Sequence, residues 1–206
     1  MIYRDKPYKK EAEFVYNWAK KPKTILELGC GTGQHARYWA SKAKITAVDR
    51  SLDMLKLAYR HKNIKYLNQN IYELNFDKEF DCVVAMFNVM GYCCLHYILE
   101  CLPIKAGGYF IFDAWNAGKF KILPPGPRVK FLPYGYRVSI PQQLDERSLK
   151  IDFIITQNNR IEVFESHDVH GFFDKDVKVI SEANNFKIID IKKTKNWTQF
   201  WKLQKL

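Results

Sequence analysis

The alternation of strand-like and helix-like segments is the feature that most constrains the fold of this chain of 206 residues. Apolar residues at helical spacing predict helices over residues 8–20, 34–41, 51–60 and 95–102. Short apolar runs between them predict strands over residues 24–28, 44–48, 64–67, 80–86 and 109–113. Alternation of this kind favours a parallel sheet whose strands are joined by right-handed helical crossovers, so we expect an α/β fold.

A different pattern begins after residue 115. Repeated Gly and Pro over residues 116–134 predict a long ordered loop rather than a helix. Strand-like runs follow over residues 136–139, 150–156 and 160–167, with Asn158-Asn159 as a hairpin turn. The chain ends with a predicted helix over 174–183 and predicted strands over 187–191 and 197–203. We expect a single domain over residues 1–206, in which 116–173 form a loop and an antiparallel β insertion after the fifth strand.

The composition leaves two interpretations of the charge open. The formal net charge is +11, which favours a polyanionic partner such as nucleic acid. The excess is mostly Lys and is spread along the chain, which favours a background bias in composition over such a partner. A hydrophobic fraction of 47% excludes a wholly disordered chain.

Localisation is predicted from what the sequence does not show. No apolar run approaches the roughly 20 residues that a membrane span needs, and the first residues lack the apolar core of a secretory signal. The five cysteines are odd in number and lack the paired spacing of a metal site. We therefore expect a cytoplasmic protein with reduced thiols, no membrane span and no metal.

A glycine-rich segment joins the first predicted strand to the next helix. Gly29, Gly31 and Gly33 permit a tight turn and a close approach of the backbone to a ligand. Asp49 lies at the tip of the second strand, where an acid can accept both hydroxyls of a ribose. Glu27, just before the turn, would repel a pyrophosphate and attract a cationic amine.

Five segments between residues 24 and 113 resemble, in order, the motifs of class I S-adenosylmethionine (SAM)-dependent methyltransferases. They are ILELGCGTG, AVDRSLDML, NQN, FDCVVAMFNVMGY and IKAGGYFIFD. The resemblance implies a Rossmann-like seven-stranded sheet whose last strand is antiparallel. It also implies SAM as the cofactor, lying over the carboxyl ends of the strands, and S-adenosylhomocysteine as the product.

The resemblance assigns roles to individual residues. Glu27 and the carbonyl of Met86 or Phe87 would bind the methionine ammonium of SAM, and Asp49 would hold the ribose. Met54 would pack on the adenine, although a purely structural role in its helix fits as well. The rest of the implied cofactor-binding set is Gly29, Cys30, Gly31, Gly33, Arg50, Asn70 and Ile71.

Resemblances to narrower groups of methyltransferases indicate the class of methyl acceptor. Residues 86–92 lack the Pro-Pro motif that is common in methyltransferases acting on nucleic-acid bases, so nucleic acid is disfavoured without being excluded. Residues 3–12 resemble the opening of amino-sugar N-methyltransferases that act on nucleotide-linked sugars. FDAWNAG, PRVK and ESHDVHGF resemble segments of bacterial small-molecule methyltransferases. An anionic acceptor is implied, best a nucleotide-linked or phosphorylated sugar, methylated at an amine or a hydroxyl.

Candidate acceptor-site residues follow from these segments, and each has a structural alternative such as ordinary packing or a solvated surface. The catalytic candidates are Tyr8, Tyr92, His167 and His170. The substrate-binding candidates are Trp115, Arg128 and Lys130. An RNA methyltransferase and a SAM-binding protein without catalysis remain the alternative functions, and a homodimer through residues 135–173 is a plausible assembly.

Overall fold

A computed structural model describes residues 6–122, 126–132, 135–158, 160–194 and 197–206. Within these residues the α-helices are α1 Tyr8–Trp18, α2 Ala36–Trp39, α3 Leu52–Lys56, α4 Leu95–Cys101 and α5 Asp174–Ala183. The first five strands are β1 Thr24–Leu28, β2 Lys44–Asp49, β3 Ile64–Asn68, β4 Phe80–Ala85 and β5 Ile104–Trp115. The later strands are β6 Arg128–Leu132, β7 Gly135–Gln143, β8 Ser148–Gln157, β9 Arg160–His170, β10 Phe186–Lys193 and β11 Thr198–Lys205. Short 3-10 helices span Val89–Tyr92 and Ala117–Ile122.

Seven strands form one mixed sheet in the order β10-β11-β5-β4-β1-β2-β3. The first five strands along the chain pair in parallel, while β11 runs antiparallel to both β5 and β10. The predicted α/β fold, with its seven strands and antiparallel last strand, is confirmed. The strand order changes direction between β1 and β4, and a ligand of an open α/β sheet lies beyond the carboxyl ends at such a point.

The insertion after β5 is a separate four-stranded antiparallel sheet in the order β6-β7-β8-β9. The expectation of an unbroken loop over residues 116–134 is wrong, because a 3-10 helix and β6 lie within it. Arg128–Leu132 is a strand because it pairs with β7, which begins only three residues further along the chain. The Gly and Pro residues around β6 conceal this strand in the sequence. Asn158 has the positive φ of 50° that a hairpin turn favours, and Asn159 lies outside the described residues.

Two apolar layers cover the faces of the seven-stranded sheet. Ile25 packs with α1 and α2 on one face, whereas the adjacent Leu26 packs with α4 and α5 on the other. The Trp39 indole donates a hydrogen bond of 2.8 Å to the Ala12 carbonyl, which joins α2 to α1. Among the described helices, none has the length and apolarity that a membrane crossing requires. Because both of its faces are packed, the sheet supports the loops at its carboxyl edge from a fully buried core.

Candidate active site

The turn after β1 needs glycine at two positions. Gly29 has a φ of +62°, and a Cβ there would lie 2.7 Å from a methyl carbon of Val89. Gly33 has a φ of +70°, and a Cβ there would lie 2.1 Å from the hydroxyl of Tyr66. Both the left-handed backbone and the close neighbours exclude a side chain. Glycine at these two positions therefore lets the chain turn tightly at the carboxyl end of β1.

Asp49 is oriented by backbone donors at the carboxyl end of β2. Its Oδ2 accepts the Gly31 N–H at 2.7 Å, and its Oδ1 accepts the Ser51 N–H at 2.8 Å. Each carboxylate oxygen retains a further lone pair, so the group can still accept hydrogen bonds from two hydroxyls. This geometry suits the ribose role that the sequence predicts for Asp49.

A cavity of about 270 Å³ opens between this turn and the loop that follows β3. It brings together five of the predicted cofactor residues, namely Gly29, Asp49, Arg50, Asn70 and Ile71. Tyr92, a predicted catalytic residue, lies in the same wall. The shape and the polar edge groups fit an adenosine moiety.

The other predicted cofactor residues lie outside the lining of that cavity. Cys30 and Met86 are buried in the apolar layer beneath the turn. Met54 is half exposed and lines a larger neighbouring cavity instead. These positions leave their predicted roles untested.

Glu27 is the buried acid of this region. Only 2% of it is exposed, and its Oε1 lies 3.7 Å from His35 Nδ1. Its Oε2 is buried with no hydrogen-bond partner among the described residues. Burial raises the pKa of Glu27, although the neighbouring His35 opposes this shift. A buried carboxylate oxygen of this kind is satisfied by a cationic amine, so the site fits the methionine ammonium of SAM.

A larger cavity of about 730 Å³ lies between the carboxyl edge of the main sheet and the four-stranded sheet. Phe87, Asn88, Asp113 and Trp115 line it from the main sheet. Tyr92 lines both this cavity and the smaller one, so the two cavities meet at its side chain. The larger cavity therefore adjoins the smaller one at the carboxyl edge of the main sheet.

Strand alternation decides which predicted histidine reaches the larger cavity. His167 pairs with Ile151 in the β8–β9 ladder, and both line the cavity. His170 pairs with Ser148 and is exposed, with its Nδ1 2.9 Å from the Ser148 hydroxyl oxygen. Residues three apart on a strand point to opposite faces, so the structure does not bring His170 to the cavity.

The remaining catalytic candidates lie at the edges of the cavity. The His167 ring packs edge-on against Tyr92 and Phe153, at 5.9 and 5.5 Å between ring centres. Its Nε2 is 3.3 Å from a carboxylate oxygen of Glu165. Tyr8 is not among the described residues that line the cavity, and its ring meets the edge of His35 at 5.1 Å. The structure therefore groups Tyr92 with His167, whereas the Tyr8 ring packs against His35.

A side pocket of about 310 Å³, called the annex below, adjoins the larger cavity beneath β6 and β7. Its cationic lining residues are Arg128, Lys130 and Arg137. No acidic side chain lies among the described residues that line it. Trp115 lines both spaces, so all three predicted substrate-binding residues meet in or beside this annex.

Asp113 and Arg137 are cavity residues that sequence reasoning did not select. Asp113 is 4% exposed, and its Oδ1 accepts the Asn88 N–H at 3.0 Å. Burial raises the pKa of Asp113 to about 6. An acid ending a buried strand was the available signal for Asp113. Arg137 had no such signal, because only the pairing of β7 with β6 and β8 shows which face of β7 is turned inward.

A family model described as a methyltransferase domain matches residues 25–102. The malonyl-[acyl-carrier protein] O-methyltransferase of Priestia megaterium is 29% identical over 115 residues, which are 52% of this chain and 42% of that protein. The chain thus spans less than half the length of this curated relative.

Solved structures resemble the whole chain. A SAM-dependent methyltransferase from Clostridium acetobutylicum has a TM-score of 0.84 at 22% identity, covering 100% of this chain and 94% of that one. A SAM-bound amino pentose methyltransferase from Micromonospora echinaspora has a TM-score of 0.81 at 15% identity, covering 98% and 93%. The chain therefore has the fold of the class I SAM-dependent methyltransferases. Together with the domain match, these similarities support an enzyme that uses SAM as its cofactor.

Proposed function

We propose that this chain transfers a methyl group from SAM to an amine or hydroxyl of a small anionic acceptor. The best candidate acceptor is a nucleotide-linked or phosphorylated sugar. The observation that carries the proposal is the acceptor cavity of about 730 Å³, which meets the cofactor cavity at Tyr92. Its volume lies within the range of roughly 300–1,000 Å³ that is common for small-molecule sites.

The annex supplies the anion-binding part of the proposed site. Arg128, Lys130 and Arg137 place three cationic side chains in its wall. Guanidinium groups bind phosphate oxygens in pairs, and the Lys ammonium adds a point charge. Trp115 offers an aromatic surface beside them, which suits a sugar or a base. A phosphate in the annex would leave the rest of the acceptor in the larger cavity.

We propose that Asp113 lies next to the atom of the acceptor that receives the methyl group. SAM, when bound, supplies an electrophilic methyl group on a sulfonium. The chain must align the acceptor with that methyl group, exclude water and take up the acceptor's proton. Asp113 Oδ1 is engaged by Asn88, which leaves Oδ2 to hold that proton. A pKa of about 6 keeps this carboxylate ionised at neutral pH and close to the proton affinity that a general base needs.

An amine is the favoured acceptor atom. A protonated amine would be attracted to the buried Asp113, whereas the cations of the annex would attract the phosphate of the same molecule. The amino pentose methyltransferase among the structural neighbours is consistent with this assignment. A sugar hydroxyl would depend more on a base, for which His167 beside Tyr92 is the second candidate.

Matched acceptors and charge variants test the proposal. Methyl transfer from labelled SAM is measured with a nucleotide-linked amino sugar and with the same amino sugar lacking the phosphates. We expect a clear preference for the phosphorylated acceptor, and we expect the double variant Arg128→Gln/Lys130→Gln to raise its KM roughly tenfold or more.

Lys150→Gln is the control, because Lys150 lies on the opposite face of the same sheet. Equal turnover of both acceptors would overturn the anionic-acceptor proposal. Tight binding of tRNA at physiological salt, lost steeply as salt rises, would favour the RNA alternative instead.

We also propose that the chain forms a homodimer through the outer face of the four-stranded sheet. Cross-strand pairs such as Phe131 with Tyr136 and Ile154 with Phe164 place apolar side chains together on this face. Phe131 is 83% exposed and Phe164 is 65% exposed. A continuous apolar face of this size is unfavourable in water, and a second copy of the same face would cover it.

A further inference from the structure

Four ionisable side chains next to the glycine turn contact one another in succession. The Lys6 ammonium pairs with the Glu11 carboxylate at the start of α1. Glu11 Oε2 lies 2.9 Å from His35 Nε2, and His35 Nδ1 lies 3.7 Å from Glu27 Oε1. His35 is 4% exposed. A single buried imidazole therefore bridges a carboxylate of α1 and the carboxylate at the end of β1.

Aromatic neighbours hold the His35 ring in this orientation. The Trp39 ring stacks on it at 5.9 Å with 19° between the planes, and Tyr8 meets its edge at 5.1 Å. His35 also directly precedes α2, whose first turn follows the glycine turn. Both ring nitrogens are thus directed at carboxylates by packing from two sides.

The charges of this bridge support one another. Burial alone would lower the pKa of His35, but hydrogen bonds and charges from Glu11 and Glu27 outweigh burial and raise it. Burial raises the pKa of Glu27, and the imidazolium opposes that shift. Glu11 has a lowered pKa, because His35 and Lys6 outweigh the opposing effect of burial. The other charged groups that act on the bridge are Asp49 and Asp113.

We propose that His35 is a positioning residue that keeps Glu27 ionised and oriented for the methionine ammonium of SAM. Glu11 completes the bridge from α1, and Glu11 also lines the acceptor cavity. The bridge therefore connects the wall of the acceptor cavity to the cofactor site. This inference rests on the proposed function, because it needs SAM to bind at Glu27. Oε2 of Glu27, which has no hydrogen-bond partner in the described part of the chain, is the atom that would receive the ammonium.

The variant His35→Gln tests the proposal through proton uptake as well as affinity. S-adenosylhomocysteine carries the same ammonium group and is titrated calorimetrically at pH 7 in two buffers of different ionisation enthalpy. Without the imidazolium, buried Glu27 takes up a proton in the free variant and must release it when the ammonium binds. We expect His35→Gln to bind roughly tenfold more weakly or worse, and to release up to about one more proton per ligand than the wild type.

Glu11→Gln keeps the test independent of whether His35→Gln folds. Removing one of its two carboxylates leaves His35 less protonated, so we expect a smaller loss of affinity with proton release in the same direction. Glu13→Gln, on the same helix, is the matched control and should bind like the wild type. Thermal unfolding of each variant shows whether the fold is retained.

Two outcomes separate this inference from the proposed function. If the wild type binds S-adenosylhomocysteine while folded His35→Gln and Glu11→Gln match it in affinity and proton release, the positioning role is overturned and the proposed function stands. If the wild type itself fails to bind S-adenosylhomocysteine, the proposed function is overturned together with this inference.

Discussion

Asp113 illustrates at the scale of one residue how a buried charge relates stability to chemistry. Its carboxyl group is 4% exposed, and burial raises its pKa to about 6 from a reference value of 3.8. The folded protein therefore binds a proton at Asp113 more tightly than the unfolded chain does. The stability from this group is greatest below about pH 4, falls as the pH rises to 6, and stays at the lower value above that.

Asp113→Asn should reverse this loss. The amide oxygen can still accept the Asn88 N–H and carries no charge, so we expect the free energy of unfolding at pH 8 to rise by up to about 3 kcal/mol. At pH 4 the gain should vanish, because wild-type Asp113 is then protonated. Urea unfolding at the two pH values measures both quantities. Methyl transfer should fall at the same time, since the amide cannot take up a proton.

Asp168→Asn is the control for that measurement, because Asp168 is exposed on β9. It should leave the free energy of unfolding within about 0.5 kcal/mol of the wild type at both pH values. A loss of stability in Asp113→Asn at pH 8 would show that the carboxylate charge is stabilising, contrary to our expectation.

At the scale of elements, the turn between β1 and α2 lines the smaller cavity with Gly29 and orients Asp49 through the Gly31 N–H. Gly31 and Gly33 both have positive φ, of 54° and 70°. They differ in their surroundings, because a Cβ at Gly31 would meet none of the described residues within 4 Å, whereas a Cβ at Gly33 would meet the Tyr66 hydroxyl at 2.1 Å. That hydroxyl donates a hydrogen bond of 2.8 Å to the Tyr59 carbonyl, so it is not free to move without a cost.

Gly33→Ala should therefore destabilise the protein more than Gly31→Ala. The left-handed backbone alone costs roughly 1–2 kcal/mol for an L-residue, and this cost applies to both variants. The additional contact with Tyr66 applies to Gly33→Ala alone. Urea unfolding of the two variants isolates that contact, and Gly33→Ala/Tyr66→Phe should recover part of the difference. Equal losses in the two single variants would show that Tyr66 moves aside without cost.

At the scale of the whole molecule, the two sheets contribute different walls of the two cavities. Residues at the edge of the seven-stranded sheet line both cavities, and the inner face of the four-stranded sheet closes the larger one. The outer face of the smaller sheet carries exposed apolar side chains. Closure of the acceptor site and association of two copies would thus use opposite faces of one insertion.

Charges on that outer face should prevent association. We expect the wild type to sediment as a dimer and Phe131→Glu/Phe164→Glu to sediment as a monomer, because a buried pair of unpaired carboxylates opposes the contact. Val179→Glu is the control, since Val179 is 66% exposed on α5, away from this face. A wild type that sediments as a monomer throughout would contradict the proposed dimer.

The sequence by itself determined the α/β fold and the cofactor edge of the site. Strand and helix periodicities are local properties, and Gly29, Asp49 and Asn70 follow strands whose carboxyl ends must lie together in a parallel sheet. Gly29 and Asp49 were found from spacing because topology fixes their meeting place, whereas Asn70 was implied by the resemblance to the methyltransferase motifs.

Only the tertiary structure decided which residues line the larger cavity and which side chains surround His35. Pairing of β6 with β7 turned an expected loop into a strand, and the β8–β9 register placed His167 inward and His170 outward. The partners of His35 come from α1 and β1, which are separated along the chain. Strand register and the packing of separate elements set these features, and the residues of one segment do not encode the partner against which a given side chain will pack.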